Sequence, residues 1–362
     1  MNKACSLLVI NVGSTSTKAA WFQGREPAAL ETIRYQSEDL APYASLREQL
    51  PLREKGLLDF LKKNSLDPEA VDLFISRGGL GNPAPAGVYR IDEVMCEDLL
   101  EGRYGKHPSA LGPAMALNLS KRYGKPAIVV DPPSTDEFHP LARISGLPEI
   151  ERKSVFHALN QKAAARRLAS DLDKRYEALN LIVAHLGGGI TIGAHRNGKV
   201  IDCTHGLGEG PLTPERAGAL PTMDLIDLVF SGNKDRKTIS DALVGKGGLC
   251  AYLGTTDATE VLGKILAGDE RAKLIFEAMA YQIAKEIGAM ATVLEGRIDG
   301  IVLTGGLANV EMLTDWIRGR VQFIAPVFVY PGEDEMAALA EGGLRVLLKE
   351  EDVKKYQRES GS

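Results

Sequence analysis

An apolar strand that enters a glycine turn and returns as a second apolar strand occurs twice in this chain, about half a chain apart. The first copy is SLLVINVGSTSTKAAWF, residues 6–22. Leu7 to Ile10 leads into Asn11-Val12-Gly13, a hydroxyl run from Ser14 to Thr17 follows, and Ala19 to Phe22 leaves the turn. The pattern reads as strand, tight turn, strand. Gly13 lets the backbone turn sharply and approach a ligand, and the hydroxyl and N–H groups of Ser14 and Thr15 can cradle an anion. It is not a P-loop, because the Gly-x4-Gly-Lys-Ser/Thr spacing is absent and a strand follows in place of a helix. Taken alone, such a turn fits a Ser/Thr-rich hairpin at a sheet edge as well as it fits a phosphate site.

The second copy is LIVAHLGGGITIGAHRNGKVIDC, residues 181–203, with its turn at Gly187-Gly188-Gly189. Asn197-Gly198 marks a type I′ hairpin into a third strand, Val200 to Cys203. A third glycine turn lies in GIVLTGGLANVEML, where the strand Ile301 to Thr304 meets Gly305-Gly306 and then a helix whose N-terminus can face an anion. Together the three turns point to two related lobes closing on a nucleotide.

A length of 362 residues accommodates two ordinary domains. With 44% hydrophobic and 25% charged residues, the composition is that of a soluble globular protein. The net charge of -5, with both signs interspersed, argues against nucleic acid or an anionic membrane as the main partner, since both need a basic face. Cys5, Cys96, Cys203 and Cys250 form no CxxC pair and read as reduced thiols of a cytoplasmic protein. The short apolar run after MNKAC goes straight into the first hairpin, so it reads as a strand and not a signal peptide. No apolar run approaches a membrane span.

The domain crossing is expected near Leu147-Pro148, giving a first domain at 1–150, joined by a C-terminal segment at 332–362, and a second at 151–331. Residues 46–63 are helix-like, although Pro51 and Gly56 interrupt them. The strand Val71 to Ser76 runs into Arg77-Gly78-Gly79, which displays a cation at a strand end. Asp131 follows the buried strand Ala127 to Val130, and ligands in open α/β sheets bind beyond such carboxyl ends. His157 opens the helix 155–172 and reads as structural. The long loop 204–223 carries one arginine, Arg216, and loops of that length are usually functional. Residues 246–257 read as another glycine-rich connection, and 270–295 as a long amphipathic helix. The last helix, 333–349, opens with Glu333, Asp334 and Glu335, which suit a helix dipole or a metal ion. The charged tail after Lys349 is expected to fray.

There is no serine nucleophile elbow and no Cys/His metal spacing, and GGG opening a strand is not a Rossmann fingerprint. Phosphoryl transfer needs what is present: turns that cradle phosphates, carboxylates for Mg²⁺, and arginines to neutralise the transferring group.

The whole chain resembles the butyrate kinases of the acetokinase family, within the actin, sugar kinase and heat-shock 70 superfamily. The resemblance is carried by INVGSTSTK, SRGGL, ISGLPEIERKSVFHALNQKAAARR, HLGGGITIGAHRNGKVID, VLTGGLANVEML and FVYPGEDEMAALAEGGLRVL, roughly residues 6–348. It implies an α/β fold of two duplicated actin/ribonuclease H-like domains, mixed β-sheets flanked by helices with the active site in the cleft between them, and a last helix that returns to the first domain. It further implies reversible, ATP-dependent phosphorylation of a short-chain fatty acid with Mg²⁺, by a homo-oligomer of two or more subunits. By motif match, Asn11 and Glu335 fall at metal-associated positions, Arg77 and Arg216 at the arginines that hold carboxylate and phosphoryl group, His107 at a loop histidine, and Asp131 near the metal and attacking group. The nucleotide-binding set is Gly13, Ser14, Thr15, His185, Gly187, Gly188, Gly189, Asp257, Gly305, Gly306 and Leu307. The chain departs from the acetate kinases at Gln161, where they carry a second histidine. Acetate, propionate and isobutyrate are the rival acceptors. A nucleotide-gated interaction protein is the rival of another class, and it would have no need for both arginines.

Overall fold

The computed structural model describes residues 5–358; residues 1–4 and 359–362, the first residues of the N-terminal segment and the end of the C-terminal tail, lie outside the described residues. The chain forms two compact units, one from residues up to Asp136 together with those from Asp334 onward, the other from Glu137 to Glu333. The change-over thus falls at 136/137, ahead of the Leu147-Pro148 crossing expected from sequence.

The strands follow in chain order. The first unit begins with β1 (Ser6–Val12), β2 (Ser16–Gln23), β3 (Glu26–Arg34), β4 (Leu73–Ser76), β5 (Val88–Arg90) and β6 (Ala127–Val130). The second unit holds β7 (Asn180–Leu186), β8 (Ile190–Arg196), β9 (Lys199–Cys203), β10 (Gly300–Gly305) and β11 (Val327–Pro331), and β12 (Val353–Lys355) returns to the first.

The first sheet is ordered β12-β5-β6-β4-β1-β2-β3 and the second β11-β10-β7-β8-β9. In each, an antiparallel three-strand meander is continued by parallel strands: β4 pairs parallel to β1 and β6 to β4, as β10 pairs parallel to β7 and β11 to β10. The order β3-β2-β1-β4-β6 therefore repeats as β9-β8-β7-β10-β11, and the duplication expected from the two glycine hairpins is a duplication of topology. The central strands β1, β4 and β6 are buried along their whole length, as strands covered on both faces must be. Pro27, which cannot donate to a ladder, lies on the edge strand β3.

Helices cover the sheets where their apolar stripes demand it. In the second unit the long helix Glu270–Val293 buries Phe276, Met279, Ile283, Ile287 and Met290 against β7 and β8. In the first, the helix Leu50–Lys63 begins where Pro51 sits in its first turn, so this proline starts the helix and does not interrupt it. The final helix, Glu335–Leu347, packs Met336, Leu339 and Leu344 on β1, β4 and β6.

Two further sequence expectations fail. Residues 246–257 are not merely a connection, because Gly248–Leu253 is helical and ends at Gly254 in the left-handed conformation. The tail does not fray over its described part. Its strand β12 extends the sheet beside β5, Tyr356 donates to Asp98 at 3.1 Å, and Arg358 reaches the same buried carboxylate at 2.7 Å. A buried charge needs partners, and the tail supplies them from far along the chain.

Candidate active site

Parallel pairing places three of the expected residues side by side in the first unit. Ile10 lies opposite Ser76, and Ser76 opposite Val129, so Asn11, Arg77 and Asp131 fall at the carboxyl ends of three neighbouring strands. Glu335, in the first turn of the last helix, joins two of them. The Asn11 amide donates to Glu335 Oε2 at 2.6 Å, and Arg77 Nη2 stands 3.2 Å from Glu335 Oε1. Glu335 is not the helix cap; that role belongs to Asp334, whose carboxylate accepts from the Ala337 N–H at 2.9 Å. His107 accepts from the Ser109 N–H at 3.2 Å and opens a short turn. Partial burial, and secondarily the Arg77 guanidinium, hold its imidazole below the ordinary value. Asp131 is buried, has φ of 39°, and accepts from the Gly87 N–H at 2.8 Å.

The Gly13-Ser14-Thr15 turn rests on a residue that the sequence did not single out. Arg53 is fully buried, and it donates to the Ser14 carbonyl at 2.7 Å and the Ser16 carbonyl at 2.9 Å, with Tyr35 stacked 4.3 Å from its guanidinium. A cation bound to turn carbonyls from beneath stiffens the turn before any ligand arrives. Its only sequence signal is an arginine on the apolar face of an amphipathic helix.

In the second unit the Gly187–Gly189 turn and the Gly305-Gly306 turn adjoin. Gly305 has φ of 93°, exchanges backbone hydrogen bonds with Gly332 at 3.1 and 2.9 Å, and lies so close to the Leu186 backbone that no side chain fits. Leu307 is buried in the core, so only the backbone is presented there. Thr213 donates to the Gly188 carbonyl at 2.6 Å. The Arg216 guanidinium lies directly on Gly189, where an added Cβ would collide with it. Its Nη1 donates to the Gly206 carbonyl at 2.6 Å, Nη2 stands 3.7 Å from Glu215 Oε1, and Nε is buried with no acceptor among the described residues. Asp257 caps the helix Ala258–Leu266 through the Thr259 N–H at 2.8 Å, and among the described residues no side-chain hydrogen bond joins it to the glycine turns.

His157, read from sequence as structural, stands beside this apparatus. Its ring stacks on His185 with centroids 3.8 Å apart and 16° between planes. His185 is the penultimate residue of β7, immediately ahead of Leu186 and the glycine turn, and approaches Glu333 at 3.5 Å. Gly206, which receives Arg216, is itself bonded to the Val155 carbonyl at 2.8 Å. The segment carrying His157 is thereby tied to the arginine, a pairing invisible in sequence because 59 positions separate His157 from Arg216.

Among the described residues, no group of three or more His, Cys, Asp or Glu side chains forms a metal cluster. The donor set at Asn11 and Glu335 is a different kind, with hard oxygens and a single carboxylate. That suits Mg²⁺, which is held by one or two carboxylates with water and substrate phosphates completing its shell. No helix among the described residues is long and apolar enough to cross a membrane.

Comparison with known proteins adds to this geometry. Residues 149–323 match the model of the acetokinase family. Over 352 residues, 97% of this chain and 99% of the relative, the sequence is 48% identical to butyrate kinase 2 of Clostridium acetobutylicum. The crystal structure of Porphyromonas gingivalis acetate kinase matches 95% of this chain and 100% of its own with a TM-score of 0.77 at 19% identity. A propionate kinase from Francisella tularensis matches 93% and 98% with a TM-score of 0.72 at 18% identity. These two likenesses establish the actin-like duplicated fold.

Proposed function

The chain belongs to the acetokinase family, and we propose that it transfers the γ-phosphoryl group of ATP directly to the carboxylate of a short-chain fatty acid, reversibly, with butyrate as acceptor and Mg²⁺ as cofactor. The observation that carries the residue assignment is the shared carboxylate: Asn11 and Arg77 both converge on Glu335 at the carboxyl ends of paired parallel strands.

Arg77 then holds the acceptor carboxylate through its planar fork, with Glu335 fixing its orientation. A carboxylate is already ionised at neutral pH, so the reaction needs no strong general base. Positioning and charge neutralisation supply the catalysis. Arg216, whose guanidinium lies on Gly189, neutralises the equatorial oxygens of the transferring group. The glycine turns at 13, 187–189 and 305-306 cradle the nucleotide phosphates through backbone N–H groups. Glu335 and Asn11 are the residues that would hold Mg²⁺, which supplies charge neutralisation on the phosphate oxygens. His107, below its ordinary protonation range, faces Arg77 as a neutral polar group. Asp131, anchored to Gly87, orders the neighbouring strand end.

A homo-oligomer in the cytoplasm fits two further features. The helix Thr222–Phe230 exposes Met223, Ile226, Val229 and Phe230, an apolar face suited to a second copy. All four cysteines are free thiols.

The test is a hydroxylamine trap for acyl phosphate with ATP, Mg²⁺ and acids from C2 to C5. Butyrate should give the highest kcat/KM. Absence of acyl phosphate from folded protein with every acid would overturn the reading, and preference for acetate or propionate would reassign the acceptor.

A further inference from the structure

The arginine beneath the first glycine turn is a charge without a counter-charge. Arg53 lies on the buried face of its helix with Leu57, Phe60 and Leu61, and none of its surface is exposed. Its acceptors are all neutral: the Ser14 carbonyl at 2.7 Å, the Ser16 carbonyl at 2.9 Å, the Gln49 amide oxygen at 3.3 Å and the Thr17 hydroxyl at 3.4 Å. Among the described residues no carboxylate pairs with it, and its Nε is buried without an acceptor. Burying an unpaired charge is costly, and a neutral amide could donate to the same carbonyls without that cost. The surroundings are nevertheless built to keep it. The Tyr35 ring faces the guanidinium at 4.3 Å, and Gly56 stands in mid-helix where an added Cβ would come within 2.7 Å of the Tyr35 hydroxyl.

The charge acts through the turn. The three carbonyls from Ser14 to Ser16 are all taken from the protein side: Arg53 holds those of Ser14 and Ser16, and the Tyr35 N–H holds that of Thr15 at 2.9 Å. A trans peptide sets its N–H opposite its carbonyl, so the Thr15 N–H, which shares a peptide unit with the Ser14 carbonyl, points away from Arg53. Neither the Ser14 nor the Thr15 N–H has an acceptor among the described residues, and both residues are exposed. A carbonyl bonded to a cation is polarised, which strengthens the N–H at the other end of its peptide. The interior screens the charge less than water does, so its field reaches the side where these donors and the two hydroxyls lie.

We infer that Arg53 is the built-in counter-charge of an anion held on the outer side of this turn by the N–H and hydroxyl groups of Ser14 and Thr15, and that the anion is a phosphate group of the nucleotide. Naming the nucleotide as its source rests on the phosphotransfer reading; the anion site and the part played by Arg53 do not. Arg53 is a positioning residue, since the turn stands between it and the anion. Binding the anion pairs a charge that is otherwise unpaired, so phosphate should also raise the melting temperature of the native protein.

The experiment titrates full-length, ¹⁵N-threonine-labelled protein with inorganic phosphate at constant ionic strength, the Thr15 amide signal being identified by its loss in Thr15→Ser. That signal should shift downfield as phosphate saturates, and ATP should compete for the same site. By calorimetry, Arg53→Gln, which is neutral and can still donate to a turn carbonyl, should weaken phosphate about tenfold. Arg53→Lys, which loses the planar fork and keeps the charge, should stay within about threefold of native. An arginine that only stiffened the turn would be replaced no better by lysine than by glutamine. A Thr15 signal indifferent to phosphate in the native protein overturns the site, whether or not the variants fold. Equal losses in the lysine and glutamine variants overturn the counter-charge, and phosphate that ATP fails to displace overturns the nucleotide as its source. Protein that makes no acyl phosphate but shows the native shift and the expected order of variants loses the phosphotransfer reading and keeps the counter-charge.

Discussion

Asn11 and Glu335 are 324 residues apart in sequence and meet at 2.6 Å, the amide of the first strand donating to the carboxylate of the last helix. Arg77 takes the other oxygen of that carboxylate at 3.2 Å. The first unit therefore cannot assemble its polar site until the chain has returned from the second.

This arrangement separates capping from chemistry. Asp334→Ala removes the helix cap and should cost about 1 kcal/mol of stability, with turnover near native. Glu335→Ala leaves the cap in place. It should lower turnover by about two orders of magnitude and raise the Mg²⁺ requirement, with melting temperature little moved. Unchanged turnover and Mg²⁺ dependence in Glu335→Ala would remove the carboxylate from the site.

The two arginines should be irreplaceable by lysine, which lacks the planar fork. Arg77→Lys and Arg216→Lys should each lose at least about two orders of magnitude in turnover. Their stabilities should differ, however. Arg77 is partly exposed and paired with a partly exposed carboxylate, so its melting temperature should hold. Arg216 is more buried and bonded to the Gly206 carbonyl, so a measurable drop is expected there. Near-native turnover in either variant removes that arginine from the chemistry.

Glycine-to-alanine changes should divide in the same way. At Gly189 the added methyl meets the movable end of Arg216, so activity should fall while the fold persists. At Gly305 it meets the Leu186 backbone at a φ of 93°, where neither side can yield, so the melting temperature should fall. Thermal denaturation and initial rates on the same preparations distinguish the two outcomes. Equal loss of stability in both variants would contradict the assignment of Gly189 to the arginine.

Stability should decline in acid. His195, His107 and His205 are all held below the ordinary imidazole value, burial being the leading cause in each. The unfolded chain takes up protons at these rings near pH 6.5, where the folded protein still resists them. Their contribution is therefore complete above about pH 6.5 and is lost progressively as the pH falls below it. Melting temperature measured from pH 7.5 to 5.0 should show this fall, and His107→Gln should make it shallower. A profile unchanged by that substitution would mean His107 titrates alike in both states.

The parts of the site that share a strand or a turn were readable from the sequence. Leu7 to Val12 must bury both faces, Gly13 must turn, and Arg77 and Asp131 must project from strand ends, because alternation, glycine and strand length act over a few residues. The repeated hairpin gave the duplication for the same reason. Arg53 under the first turn, His157 against His185, and the tail on Asp98 were not readable. Each is a polar group whose partner lies far along the chain, and its sequence context is that of an ordinary helix face or tail.

What the sequence alone determined is local: the strands, the three glycine turns, and the residue types that phosphoryl transfer needs. Tertiary structure decided which of those residues meet. Parallel register set Asn11 beside Arg77, and the returning helix brought Glu335 to both. Hydrogen bonds in a dry interior are directional and must be satisfied, so the Glu335 carboxylate gathers donors from strands far away in the sequence. No period or spacing in the sequence carries that constraint.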